Sequence, residues 1–173
     1  MTDRFDHRFR IDQIRDGDRI DITADDEERA AIAERFALES IDRLEAHAVL
    51  SRTDDAIRAQ GRLGASLTQR CVVTGDPVAA HVDEPFDLMF VPEPPDGGAV
   101  DEVELGERDC DVIFTDGATI DLGGAIADTL ALSLDPYPRS AAADAALKEA
   151  GVLTEEQASP FAALAKLKNP GDA

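Results

Sequence analysis

Residues 70–92 read RCVVTGDPVAAHVDEPFDLMFVP, and this stretch decides the fold. Cys71-Val72-Val73-Thr74 is apolar and β-branched, the composition of a strand end. Gly75-Asp76-Pro77 supplies turn chemistry, since glycine accepts positive φ and proline presets its own. Val78 to Val82 then alternates in the period of two that marks a strand. Pro85 brings no N–H to a ladder and interrupts the run; Phe86, Leu88 and Phe90 fall on one face of a second extended segment that Pro92 ends.

The same period runs upstream. Leu44, Ala46, Ala48 and Leu50 are set against Glu45, His47 and Val49. After the turn-like Thr53-Asp54-Asp55, Ile57, Ala59, Gly61 and Leu63 alternate with Arg58, Gln60 and Arg62, and the pattern continues to Cys71. Consecutive extended segments joined by short turns predict an antiparallel meander. Gly61 and Gly64 are candidate bend points at which such a sheet curls toward a barrel.

Further out, Phe5 to Ile14 reads as a first strand, Asp16-Gly17-Asp18 as a turn and Arg19 to Ile22 as a second strand. Thr23 reads as a helix N-cap, with Asp25, Asp26, Glu27 and Glu28 at the positive end of the dipole. Residues 92–109 combine prolines, glycines and acids and predict a long, mobile acidic loop. A strand over Cys110 to Phe114 and a turn at Asp116-Gly117 follow. Asp121 then caps a helix whose Leu122, Ile126, Leu130 and Leu134 form one stripe. Ser140 to Ala150 reads as a short helix stopped at Gly151, and Phe161, Leu164 and Leu167 are spaced for one face of a last turn or two. The fold class is α+β: a curved, mainly antiparallel sheet, open or barrel-like, with two packed helices.

The chain has 173 residues, enough to bury a real core, and is 43% hydrophobic but only 5% aromatic. A core of small aliphatic side chains anchored by the seven phenylalanines follows. Thirty-seven acids against seventeen basic residues give a net charge of −20. That charge repels polyanions at long range and argues against a protein that holds RNA mainly by neutralising phosphates. Neither a signal-peptide core nor an apolar run near the ~20 residues of a membrane span is found, which predicts a cytoplasmic protein.

Four groups invite chemistry. Cys71 is the residue a search for a nucleophile picks out, but no histidine lies near it in sequence; a thiol facing the core is the better reading, and a free thiol likewise for Cys110. Asp109, Asp111, Asp116 and Asp121 suggest a two-metal site, yet the last two have turn and cap roles. Neither group makes a catalytic or metal site, and no cofactor is expected. Arg58, Gln60 and Arg62 share one strand face, with Arg52 and Arg70 near the ends of the same stretch. Such a stripe suits phosphate contact, with Arg58, Arg62 and Arg70 as candidates; equally, it is a solvated face whose arginines pair with local acids. The apolar face of Phe161, Leu164 and Leu167 either docks on its own domain or offers a short helix to a partner.

The Cys71-Val72-Val73-Thr74-x-x-Pro77-Val78 segment, followed by Phe86-x-Leu88-x-Phe90-Val91-Pro92, resembles the YceD family. Gly61-x-Leu63, Ile120-Asp121-Leu122 and Leu130-x-Leu132-x-Leu134-x-Pro136 extend the likeness over roughly Phe5 to Arg139. The resemblance implies a domain over 1–139, with a helical extension over 140–173. It also implies a non-enzymatic role in accumulation or processing of 23S rRNA and large-subunit assembly. The partner is then 23S rRNA or its precursor, or a basic large-subunit ribosomal protein that the acidic chain escorts. Some relatives carry paired cysteines toward the C-terminal end that suggest zinc; here Asp135-Pro136-Tyr137-Pro138-Arg139 has no thiol. Gly75-Asp76 also departs from the side chains many relatives place before the Pro-Val.

Overall fold

The chain runs β1 (Arg8–Arg10), a 3-10 turn (Ile11–Gln13), β2 (Asp18–Thr23), α1 (Asp26–Arg35), β3 (Ser40–Thr53), β4 (Ala56–Arg70), β5 (Pro77–Pro92), β6 (Asp111–Thr115), β7 (Thr119–Asp121), α2 (Leu122–Leu132) and α3 (Ala143–Glu149). These elements come from a computed structural model, which describes Phe5 and residues 7–53, 56–93 and 110–152. Residues 94–109, and Phe161, Leu164 and Leu167, lie outside the described residues. The chain divides into two compact units, one of Met1–Gln69 and Ala79–Pro136, the other of Arg70–Val78 and Tyr137–Ala173.

In the first unit five strands form one sheet in the order β2-β3-β4-β5-β6. It is an open sheet, with β2 and β6 at its edges among the described residues. β3 pairs antiparallel with β2 and β4, as the meander predicts. β6 departs from the pattern and pairs parallel with β5. A parallel neighbour needs a crossover of about a dozen residues or more, which is the length signal that residues 93–110 carried.

β4 runs unbroken through Gly61 and Gly64. At Gly61 a Cβ would lie 1.9 Å from the His47 carbonyl oxygen and 2.7 Å from Phe86 Cζ. Only a residue without a side chain lets the Phe86 ring and the β3 backbone close over this point. Pro85 does not split β5 either. Glu93 N–H donates to the Thr115 carbonyl at 2.9 Å, so by alternation the N position of Pro85 faces the β6 side. β6 begins only opposite Leu88, and no ladder bond is lost at Pro85.

The inner face of the sheet carries Leu44, Leu50, Ile57, Leu63, Leu67 and Phe90, all buried. Helix α1 closes over it with Ile32 and Ala33. Its cap is Asp25 rather than Thr23, which ends β2. Asp25 Oδ1 accepts from Glu28 N–H and Glu28 Oε2 from Asp25 N–H, both at 2.8 Å, a reciprocal box that Thr23 is placed too early to form. Helix α2 starts where predicted, Gly124 N–H donating to Asp121 Oδ1 at 2.8 Å. Leu122, Ile126 and Leu130 are fully buried, whereas Leu134 lies past the helix end and is only partly buried.

The expected first strand shrinks to β1, which pairs antiparallel with β7 in a separate two-stranded sheet. Ile11 N–H donates to the Ala118 carbonyl at 2.9 Å and Leu122 N–H to that of His7 at 3.2 Å, which ties this segment to the start of α2.

The second unit corrects the opening of the sequence reading. Cys71 to Thr74 is a turn and not a strand end. Gly75 N–H donates to the Cys71 carbonyl at 2.9 Å, Cys71 N–H to that of Asp76 at 2.8 Å, and Gly75 sits at φ +76°. Asp76 Oδ2 accepts from the hydroxyls of Thr74 at 2.6 Å and Ser140 at 3.2 Å. The β-branched residues here serve this knot, whose hydrogen bonds outweigh their strand preference. The short helix α3 is capped at Ala150, followed by Gly151 at φ +76°.

Candidate functional site

The alternation of β4 places Arg58, Gln60 and Arg62 on the solvent face of the sheet, and β5 presents Asp83 and Asp87 opposite them. Arg58 grips Asp87 with both arms of its fork, Nε at 2.7 Å from Oδ1 and a terminal nitrogen on Oδ2. Gln60 Nε2 adds a third bond to Asp87 Oδ2 at 2.9 Å. Arg62 Nε meets Asp83 Oδ1 at 2.6 Å. The partners step four residues forward along one strand and four back along the other, as antiparallel neighbours do.

The two pairs differ in their surroundings. The side chains of Arg58 and Asp87 are 18% and 25% exposed, those of Arg62 and Asp83 59% and 71%. Hydrogen bonding to the carboxylates raises the pKa of both guanidiniums, and Arg62 lowers that of Asp83. Arg70 ends β4, is exposed and belongs to the second unit.

Asp83 and Asp87 are the partners that the sequence reading missed. Their spacing of four was visible in β5, but only the β4–β5 register shows which arginine each meets.

Cys71 is buried, and its Sγ accepts from Thr74 N–H at 3.4 Å. Hydrogen bonding by Thr74, and then by Ser140, lowers the thiol to about 6. The histidines are engaged elsewhere, His47 with Asp21 at 2.6 Å and His81 with the Ser66 hydroxyl at 3.1 Å. Both cysteines are free thiols, Cys110 half-buried. Of the four acids, Asp109 lies outside the described residues. Asp116 accepts from the amides of Ala118 and Thr119 at 2.8 and 2.9 Å, and Asp121 caps α2. Among the described residues no three His, Cys, Asp or Glu side chains are grouped to hold a metal ion, and no helix is long and apolar enough to cross a membrane.

A family model described as large ribosomal RNA subunit accumulation protein YceD matches residues 59–168. The chain belongs to the YceD family. Neither a curated protein nor a solved structure matches it. The YceD match takes in β4 from Ala59 onward, the Cys71 turn and β5, and so both halves of the Arg62–Asp83 pair and the Asp87 half of the other; Arg58 stands one residue before it.

Proposed function

We propose that this protein is a non-enzymatic biogenesis factor for the large ribosomal subunit, an acidic escort for a basic ribosomal protein whose delivery supports accumulation of 23S rRNA. The observation that carries the escort reading is the pairing of Arg58 and Arg62 with Asp87 and Asp83. The most regular row of guanidiniums on the sheet already holds carboxylates, on a chain of net charge −20. A basic partner is attracted to such a surface, and a phosphate backbone has to displace a carboxylate to use it.

The test is affinity purification of the tagged protein from its own cells, with and without RNase. A basic large-subunit protein that stays bound after RNase is the expected result; loss of every ribosomal component after RNase refutes the escort. That second outcome belongs to the other reading, direct contact of 23S rRNA through Arg58, Arg62 and Arg70. It is favoured by the exposure of the Arg62–Asp83 pair, which a phosphate displaces at little cost. Direct contact requires that RNA affinity fall steeply with salt, and that replacing Arg58 and Arg62 by alanine flatten the slope. Retained function in Cys71→Ala and Asp111→Asn cells is the outcome expected of a protein without catalysis.

A further inference from the structure

The geometry points to the open side of β6 as a docking strand for an extended, basic segment of a partner protein, an inference that rests on the escort reading and gives it a surface. The bond from Glu93 N–H to the Thr115 carbonyl fixes the ladder: Thr115, and by alternation Ile113 and Asp111, turn their backbone groups toward β5. Val112 and Phe114 turn theirs the other way, to the side where, among the described residues, the sheet has no further strand.

These two residues are also the exposed apolar ones, Phe114 at 53% and Val112 at 37%. The parallel register sets Met89 beside Val112 and Val91 beside Phe114, so half-buried apolar side chains from β5 widen the strip. Sheet edges are ordinarily guarded by lysine, proline or a bulge. β6 has none of these, and its one charged residue is Asp111. Outward main-chain groups with no strand partner among the described residues, and an apolar face on one short strand, are what strand addition uses, the backbone for affinity and alternate side chains for specificity.

Charge selects the partner. Beside β6 lies a cleft of about 240 Å³ lined by Phe90, Ile113, Phe114, Asp116, Asp121 and Arg8, the last 3.8 Å from Asp121. The amides of Thr119 and Ala118 hold Asp116 below the usual carboxylate range, so it stays ionised. With Asp111 at the strand entrance, carboxylates stand at both ends of β6. Residues 71–173 as a whole carry twenty-one acids against five basic residues. A strand rich in lysine or arginine meets this field favourably, and an RNA backbone does not.

The experiment uses the full chain, isotope-labelled, with an octapeptide of alternating lysine and valine as the probe and its glutamate–valine counterpart as the control. The expected result is saturable binding of the basic peptide alone, with the Val112 and Phe114 amides becoming protected from hydrogen exchange. Phe114→Ser weakens binding at least tenfold. So does Val112→Pro, which removes an outward N–H together with the valine side chain of the strip; if that variant fails to fold, Phe114→Ser carries the test. Failure of the basic peptide to bind, or binding that leaves the two amides unprotected, overturns the inference. Protection already present without peptide overturns it too: independence of concentration assigns the edge to residues 94–109 of the same chain, and dependence assigns it to a second copy. Protection by an RNA oligonucleotide in place of the peptide is equally fatal. Escort and surface fail separately. An RNase-resistant ribosomal protein that still binds Phe114→Ser leaves the escort standing and removes this surface, whereas an RNase-sensitive complex removes the escort even where the peptide occupies β6.

Discussion

At Gly61 a single hydrogen atom does what no side chain can. An added methyl would collide with the His47 carbonyl oxygen, a backbone atom, and with the Phe86 ring. Gly61→Ala is therefore expected to destabilise the protein by about 1–3 kcal/mol, read from its urea midpoint. A midpoint equal to the wild type refutes the close approach. Cys71 gives a prediction in pH. Folding lowers its thiol to about 6, below the ~8.5 of a free cysteine, so the folded state favours the thiolate. That stabilisation is fully present above the free-thiol value and is lost as pH falls through 6. The stability gap between wild type and Cys71→Ser should widen between pH 6 and 8.5, in urea titrations at several pH values; a gap that narrows contradicts the hydrogen bonds from Thr74 and Ser140. Local chemistry of this kind was partly legible in the sequence. The Asp121 cap and the Asp116-Gly117 turn involve neighbours within three residues, whereas the cap of α1 falls on Asp25 and not on Thr23 because Glu28, three residues on, completes its box.

Elements add what residues separately do not show. Arg58–Asp87 and Arg62–Asp83 have one chemistry on one pair of strands, but only the first is largely shielded from water and joined by Gln60. Double-mutant cycles should give the Arg58–Asp87 pair the larger coupling, and raising salt should erode the Arg62–Asp83 coupling first. Equal couplings that salt changes equally would mean that burial makes no difference here. The capping box of α1 predicts that Asp25→Ala costs about 1 kcal/mol in thermal or urea unfolding. The alternation that made β3, β4 and β5 readable gave each strand's faces but not its neighbours. Asp83 and Asp87 therefore could not be named as partners, and the strand over Cys110 to Phe114 carried no direction. Nothing in five residues distinguishes a parallel from an antiparallel neighbour; only the long connection before Asp111 held that information. Cys71 to Thr74 misled for the opposite reason, since β-branched side chains satisfy a turn when the hydroxyl of Thr74 and the carboxylate of Asp76 are there to close it.

For the whole molecule, the charge of −20 sets how partners arrive. The association rate of a basic ribosomal protein should fall steeply between low and high salt, with a smaller change in its dissociation rate; stopped-flow measurements over that range check it. A rate indifferent to salt removes steering from the escort reading. The fold class was legible because meander, caps and apolar stripes all agree locally, while the link from β1 to β7 was hidden by its separation along the chain. That link has a consequence for synthesis. Arg8 pairs with Asp121, so the first strand leaves the ribosome long before its partner exists. β2, β3 and β4 can zip as they emerge, but Phe5 and Ile11 meet Gly123 and Ala118 only when α2 and the turn before β7 have been made. A nascent chain stalled short of Asp121 should be cut by trypsin after Arg8 and Arg10, and one released past α2 should resist. Residues 8–10 are thus made long before they are sheltered.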